Sequence, residues 1–142
     1  MKLGEVKAEA LMKMGINNVM NISYGDIEGL KENPTYSTYL HAMVGSINRC
    51  MDRFYVKRAI TVKPTTAVLS ESNEATEMSE FGVNDTLARL IPLYIVGDVF
   101  AIDEPSIAAN NRNEFESALE EYVLRMEHEN EHELEVIYGV MI

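Results

Sequence analysis

One segment constrains the fold more than any other, because it has almost no polar face. Between residues 87 and 100, apolar side chains fall on nearly every side of a helix: Leu87, Leu90, Ile91, Leu93, Tyr94, Ile95, Val96, Val99 and Phe100. Such a helix must be buried on most sides. Asn84 or Asp85 can cap its start, and Pro92 removes one intrahelical hydrogen bond and predicts a kink. We expect a buried helix over about residues 85–101.

Apolar residues spaced three and four apart predict three further helices. The first spans about residues 3–14. The second spans about 34–54 and begins at Asn33–Pro34, with Ser46 and Arg49 on its polar face. The third of these spans about 105–127, begins after Asp103-Glu104, and carries acids on its outer face.

Two other segments have a β-like composition. Residues 56–69 are rich in β-branched side chains but are interrupted by Pro64, which indicates a hairpin-like excursion or arm. Residues 134–142 are apolar and too few to form a domain, which indicates an extended arm that needs a partner. The predicted fold class is therefore mainly α: a small four-helix bundle with a hairpin-like excursion and an extended C-terminal arm.

Length and charge limit the possible functions. The 142 residues are enough for one domain, and no apolar run approaches a membrane span, so we expect a soluble protein that is not secreted. Residues 1–69 hold nine basic and six acidic groups, a net charge of +3. Residues 70–142 hold three basic and seventeen acidic groups, a net charge of −14. This excess of acid argues against a general phosphate-backbone binder, and the asymmetry indicates either two differently solvated faces or head-to-tail attraction between copies.

The sharpest local motif is His128-Glu129-Asn130-Glu131-His132, which fits H-E-x-x-H. In zinc hydrolases, histidines four apart on a helix bind one zinc, and the intervening glutamate activates the metal-bound water. Here the match lies in a run dense in acids, and only ten residues follow it. We interpret it as a solvated helix end, with a metal site of His128, Glu129 and His132 as the alternative.

The single cysteine, Cys50, lies on the apolar stripe of the second helix. It excludes an internal disulfide and a multi-cysteine zinc site. No histidine lies near it in the sequence to activate it, so a buried small hydrophobe is the expected role. The sequence predicts no catalytic residue and no cofactor.

The segment from Leu90 to Phe100, the acidic turn 103–106, and the stretch Arg112-Asn113-Glu114-Phe115-Glu116 carry a resemblance. Together with the short helix, loop and long helix before them, they resemble the head-to-tail connector proteins (adaptor or head-completion proteins) of tailed bacteriophages and prophages. The resemblance spans most of residues 3–125 and consists of a pattern of helices, without a catalytic signature.

This resemblance implies a non-enzymatic virion protein of the phage neck, assembled in the host cytoplasm. Such proteins form a ring, commonly dodecameric, beneath the portal protein, extend the channel through which DNA passes, and bind a tail-side stopper or tail-completion protein. It implies no sequence-specific DNA binding and no membrane. The candidate interface residues are Arg112, Glu114, Leu134, Val136, Ile137, Tyr138, Val140, Met141 and Ile142.

Three other functions stay open at this point. A small terminase-like packaging component is also helical and ring-forming, but it needs a basic DNA-binding module that the sequence does not display. A zinc-dependent hydrolase would act through His128, Glu129 and His132. A generic helical interaction domain of a bacterial host would need none of these features.

Overall fold

The computed structural model describes residues 3–13, 34–62 and 83–137, with the side chains of all of these except 12, 34–38, 40, 41 and 131–137. These residues are mostly helical. The helices are α1 (Leu3–Lys13), α2 (Pro34–Val56), the short α3 (Asp85–Ala88), α4 (Ile91–Val99) and α5 (Pro105–Ile137). Within these three ranges there is no β-strand, and the mainly helical fold class is confirmed.

Helix α4 lies at the centre of the core. It contacts α1, α2 and α5, and the side chains of Ile91, Leu93, Ile95 and Val96 are buried. Each large aliphatic side chain removed from water contributes about 1.5–3 kcal/mol to stability. Because α4 has almost no polar side to turn toward water apart from Asp98, its burial requires neighbours on several sides. The expectation of a buried helix here is confirmed.

Pro92 acts differently from the expected mid-helix kink. The predicted single helix over 85–101 is two helices, α3 and α4, joined at Arg89 and Leu90. Pro92 lies in the first turn of α4, where its missing N–H leaves no intrahelical bond unmade. In a continuous helix the ring of Pro92 would clash with the carbonyl of Ala88. Asn84 caps α3 by accepting a hydrogen bond from the Leu87 N–H at 2.9 Å.

Helix α2 ends in a tight cap that uses Arg58. The Ala59 N–H donates to the Phe54 carbonyl at 2.8 Å, and the Arg58 N–H donates to the Tyr55 carbonyl at 3.0 Å. These are the two bonds of a Schellman motif, with Arg58 in the left-handed region at φ 63°. The predicted excursion over 56–69 is therefore wrong for residues 56–62, which hold the helix end and bends but no strand. Residues 63–69 lie outside the described residues.

Helix α5 is longer than the predicted 105–127 and reaches Ile137. Glu, Leu, Arg and Met are strong helix formers, and neither Gly nor Pro interrupts the sequence between Pro105 and Gly139. The predicted extended arm over 134–142 is therefore wrong for residues 134–137, which continue the helix. Residues 138–142 lie outside the described residues.

Two polar residues are buried although their sequence context does not indicate it. Lys7 of α1, next to the core residue Val6, is almost completely buried. Ser46, which the periodicity places on the polar face of α2, is also fully buried. Its Oγ has no hydrogen-bond partner within the described part of the chain. The stripe of α2 that faces the core is therefore wider than its apolar residues alone indicate.

The crossing of α4 and α5 yields the first testable prediction, at Gly97. A Cβ added there would lie 3.1 Å from the Arg112 Cβ and 3.3 Å from its Cα and N. Because the Cα and N atoms belong to the α5 backbone, they cannot move independently of the helix. We expect Gly97→Ala to lower the free energy of unfolding by about 1–3 kcal/mol, measured by urea denaturation.

Gly45 of α2 is the matched control. A Cβ there would meet only the end of the Arg49 side chain, 3.2 Å from Nη1, and this exposed, flexible end can shift by the few tenths of an ångström required. We expect Gly45→Ala to raise the free energy of unfolding by about 0.5–1 kcal/mol, the usual gain of Ala over Gly in a helix. An equal increase in the free energy of unfolding of the Gly97→Ala and Gly45→Ala variants would contradict a close approach of α4 and α5.

Candidate interaction surface

Two ion pairs join α2 to the neighbouring helices. Arg49 and Arg53 lie one turn apart on α2. Arg49 donates from Nε and Nη2 to the carboxylate of Asp98 near the end of α4. Arg53 donates in bidentate fashion to Glu116 of α5, at 3.1 and 2.9 Å. The side chains of Arg53 and Glu116 are 35% and 42% exposed, so solvent screening keeps the contribution of that pair to about 1 kcal/mol or less. These pairs fix how the helices are rotated against each other.

Aromatic side chains fill the space beneath these ion pairs. The ring of Phe115 meets Tyr94 edge-to-face at 5.1 Å and is stacked with Phe54 at 6.0 Å. Burial, followed by the nearby negative charge of Asp98, raises the pKa of the Tyr94 phenol. α2, α4 and α5 therefore share one aromatic cluster, in which each helix contributes one ring.

Two more tyrosines anchor segments at the edge of the core. Tyr39 packs edge-to-face on Phe100 at 5.9 Å and donates to Asp103 at 3.3 Å. The Tyr122 hydroxyl accepts a hydrogen bond from the Asn84 side-chain amide at 2.8 Å. Tyr39 and Tyr122 thus join segments that lie far apart in the sequence.

A groove of about 300 Å³ lies between the C-terminal end of α2 and the middle of α5. It forms where α2 ends and α5 continues past it. The apolar residues of this groove are Leu119, Val123 and Leu124, and its charged residues are Lys57, Glu116, Glu120 and Glu127. Sequence periodicity did not reveal it, because it brings Lys57, just past the end of α2, beside residues of α5 that lie more than fifty positions later in the sequence.

Beyond the groove, α5 leaves the core. Tyr122 is the last buried residue among the described side chains of the helix, and none of those from 123 to 130 is buried. Leu124 and Met126 are exposed large apolar residues in this part. At 1.5 Å per residue, the stretch from 123 to 137 extends about 22 Å. Residues 124–130 of α5 are thus exposed to solvent, on a helix whose first part is anchored in the core.

The structure gives one predicted interface residue an internal role. Arg112 donates from Nη2 to the carbonyl of Gly97 at 2.5 Å, which satisfies a carbonyl in the last turn of α4. Glu114 is exposed on α5. Leu134, Val136 and Ile137 belong to the helical backbone of α5, and their side chains lie outside the described residues. Tyr138, Val140, Met141 and Ile142 lie outside the described residues altogether.

The H-E-x-x-H motif falls on the projecting part of α5. His128 and Glu129 are exposed, and the side chain of His132 lies outside the described residues. Among the described side chains, no group of three or more His, Cys, Asp or Glu is placed to hold a metal ion. The motif is therefore on a solvent-facing helix and does not line a described cleft.

Cys50 is completely buried between the core residues of α2. Burial raises the pKa of its thiol well above the usual value, and the negative charge of Glu116 acts in the same direction. A nucleophilic cysteine needs the opposite shift, because the thiolate is the reactive form. The expected role as a small buried hydrophobe fits this environment.

A scan of protein-family models and searches of curated proteins and of solved structures found no match to this chain. Within the described ranges, no helix combines the length and the apolar character that crossing a membrane requires.

The environment of Cys50 makes a testable prediction about its reactivity. We expect a thiol reagent to label Cys50 only when the protein unfolds, since the side chain is inaccessible and its thiolate is disfavoured. The labelling rate should follow the free energy of unfolding as denaturant is added. Rapid labelling of the native protein would contradict the buried position.

The same thiol should make stability depend on alkaline pH. Because its pKa is raised in the folded state, the unfolded chain loses the proton first as the pH passes 9.0, and unfolding becomes more favourable. As the pH rises from 9 to 10, the free energy of unfolding should fall by up to about 1.4 kcal/mol per pH unit. Above pH 10 the tyrosines also begin to contribute. Cys50→Ala should remove this dependence.

Proposed function

We propose that this chain is a structural, non-enzymatic protein of a phage neck, in which copies form a ring beneath the portal protein and join the head to the tail. The observation that supports this most strongly is the arrangement of α5. The first part of that helix is anchored in a packed core, and the described side chains from 124 to 130, about 10 Å of helix, are exposed. A helix presented in this way suits docking between proteins.

The segments that carry the resemblance to head-to-tail connectors have distinct places in the fold. Residues from Leu90 to Phe100 lead into and form the central helix α4, and the acidic turn 103–106 leads into α5. The stretch 112–116 lies on the part of α5 that crosses α4, where Arg112 meets Gly97. In this proposal the helices form a four-helix bundle, and segments beyond the described residues form the hairpin and the arm that reach neighbours.

Charge gives the proposed ring a second property. Residues 70–142 carry a net charge of −14, and Glu114, Glu120, Glu121, Glu127 and Glu129 are all exposed along α5. If these acids line the channel, they repel DNA phosphate, so that DNA slides through without being retained. Location of these acids on the outer rim of the ring would exclude this part of the proposal and leave the connector role intact.

Imaging of intact particles tests the proposed function. We expect a tagged copy of this chain to appear by cryo-electron microscopy as a ring at the portal vertex of purified particles. Its absence from particles that assemble in cells making the chain would contradict the proposal. Retention of DNA by the purified protein at moderate salt would instead favour a small terminase-like packaging role.

A truncated chain makes the test specific to the projecting helix. Deleting residues 134–142 removes no residue of the described core, so the variant should unfold with nearly unchanged free energy but attach to particles more weakly. Gly45→Ala, which alters α2 away from α5, should attach normally. An unfolded truncated protein would show that the tail belongs to the core.

A further inference from the structure

We propose that copies of this chain bind one another head to tail, so that an acidic surface at the turn from α4 to α5 packs against a basic surface just past α2 in the next copy. The inference rests on the ring of the proposed function, and it adds which two surfaces of each copy form the contact. The acidic surface consists of Ile102, Asp103, Glu104 and Ile107, and the basic surface consists of Val56, Lys57, Arg58 and Val62.

The two surfaces lie at opposite ends of α2. Tyr39, near the start of α2, donates to Asp103, whereas Arg53, near the end of α2, donates to Glu116 of α5. The order of these contacts shows that α2 and α5 run in the same direction. From Tyr39 to Val56, α2 rises about 25 Å. The acidic surface therefore cannot reach the basic surface of its own copy, and the two can meet only between copies.

The acidic surface combines apolar exposure with negative charge. Ile102 is 91% exposed and Ile107 is 37% exposed. Asp103 and Glu104 lie between them and are also exposed. Within the described part of the chain, neither carboxylate forms an ion pair. Exposed apolar side chains beside such charges are typical of a surface that binds another protein.

The basic surface has the same construction with the opposite charge. Val56 is 69% exposed and Val62 is 77% exposed. The cap that ends α2 holds Arg58 at φ 63°. Lys57 lines the groove together with acids of α5, whereas Arg58 lies outside that groove. Among the described residues, neither cation has an ion-pair partner, so Arg58 in particular can pair with a carboxylate of another copy.

The two surfaces are complementary to each other, and neither is complementary to itself. Contact between them removes isoleucine and valine side chains from water, which stabilises the complex. The opposite charges increase the association rate and set the register. Two acidic surfaces, or two basic ones, would instead bring like charges together, which disfavours those pairings.

Such a contact leaves one surface of each copy unused. A pair of copies still has a basic surface at one side and an acidic surface at the other, so further copies can add. A heterologous contact of this kind closes into a ring when the rotation between neighbours permits it. The proposed function requires an assembly of that type.

Charge reversal tests the pairing of the two surfaces. We expect sedimentation velocity on the full chain to show oligomers that grow with protein concentration in low salt and dissociate in high salt. Arg58→Glu and Glu104→Arg should each weaken association by about tenfold. The double variant restores opposite charges across the contact and should recover most of the lost affinity. Ile102→Ser should also weaken association.

Asp52 provides the matched control for charge reversal. It is an exposed acid on α2 that belongs to neither surface, so Asp52→Arg should leave the association constant unchanged. Circular dichroism and urea denaturation of every variant would separate lost association from lost folding.

Cysteine crosslinking tests the head-to-tail geometry. With Cys50→Ala as the background, a chain that carries both Arg58→Cys and Glu104→Cys should give a ladder of crosslinked species longer than dimers with a short bifunctional maleimide. A mixture of the two single variants should stop at dimers, because each copy then has only one reactive position. Asn113→Cys in place of Glu104→Cys should give no ladder, since Asn113 is exposed on α5 about 13 Å along the chain from Glu104.

The outcomes distinguish this contact from the proposed function. A chain that forms no ladder, a ladder that stops at dimers, or a charge-reversed double variant that associates no better than the single ones would overturn the head-to-tail contact. If that occurs while the protein forms a ring at the portal vertex, the connector role stands and this contact is wrong. If the ladder forms but the protein is absent from particles, the contact stands and the connector role is wrong.

Discussion

The structure depends on one constraint, which is that α4 must be buried on most of its surface. With aliphatic side chains on nearly every side, it can form only if α1, α2 and α5 cover it. The contact with α5 is close, because Gly97 has no side chain where the Arg112 backbone passes. The guanidinium of Arg112 then satisfies the Gly97 carbonyl. Packing and hydrogen bonding at this crossing therefore fix α5 relative to the core.

Because α5 is anchored to the core near its beginning, the position of its exposed part is also set. Phe115, Leu119 and Tyr122 bury the first part of the helix, and Arg53 binds Glu116 on its side. After Tyr122 the helix has no buried residue through position 130 and becomes strongly acidic. A helix that is packed in its first part and exposed from residue 124 to 130 presents charge at a defined place relative to the core. The groove lies where the core ends and the projecting part begins.

Periodicity predicted the helices well, because each has an apolar stripe and a recognisable start such as Asn84 or Pro105. Features that depend on tertiary context could not be predicted. Pro92 starts a helix here, where the sequence suggested a kink, and Ser46 is buried although it is polar. The pairing of Arg53 with Glu116 joins residues 63 positions apart, and no local pattern indicates it. For the same reason the groove was missed, while Arg112, predicted as an interface residue, makes an internal contact.

Native-state hydrogen exchange tests the central claim, that a core built around α4 anchors a projecting α5. Amides of α4 should exchange only through global unfolding, since that helix is covered on most sides. Amides of residues 123–137 should exchange through local opening at much lower free energy, because an acidic helix of this length is marginal without packing. If α4 amides exchange as readily as those at the end of α5, α4 is not the centre of the core and this view of the molecule is wrong.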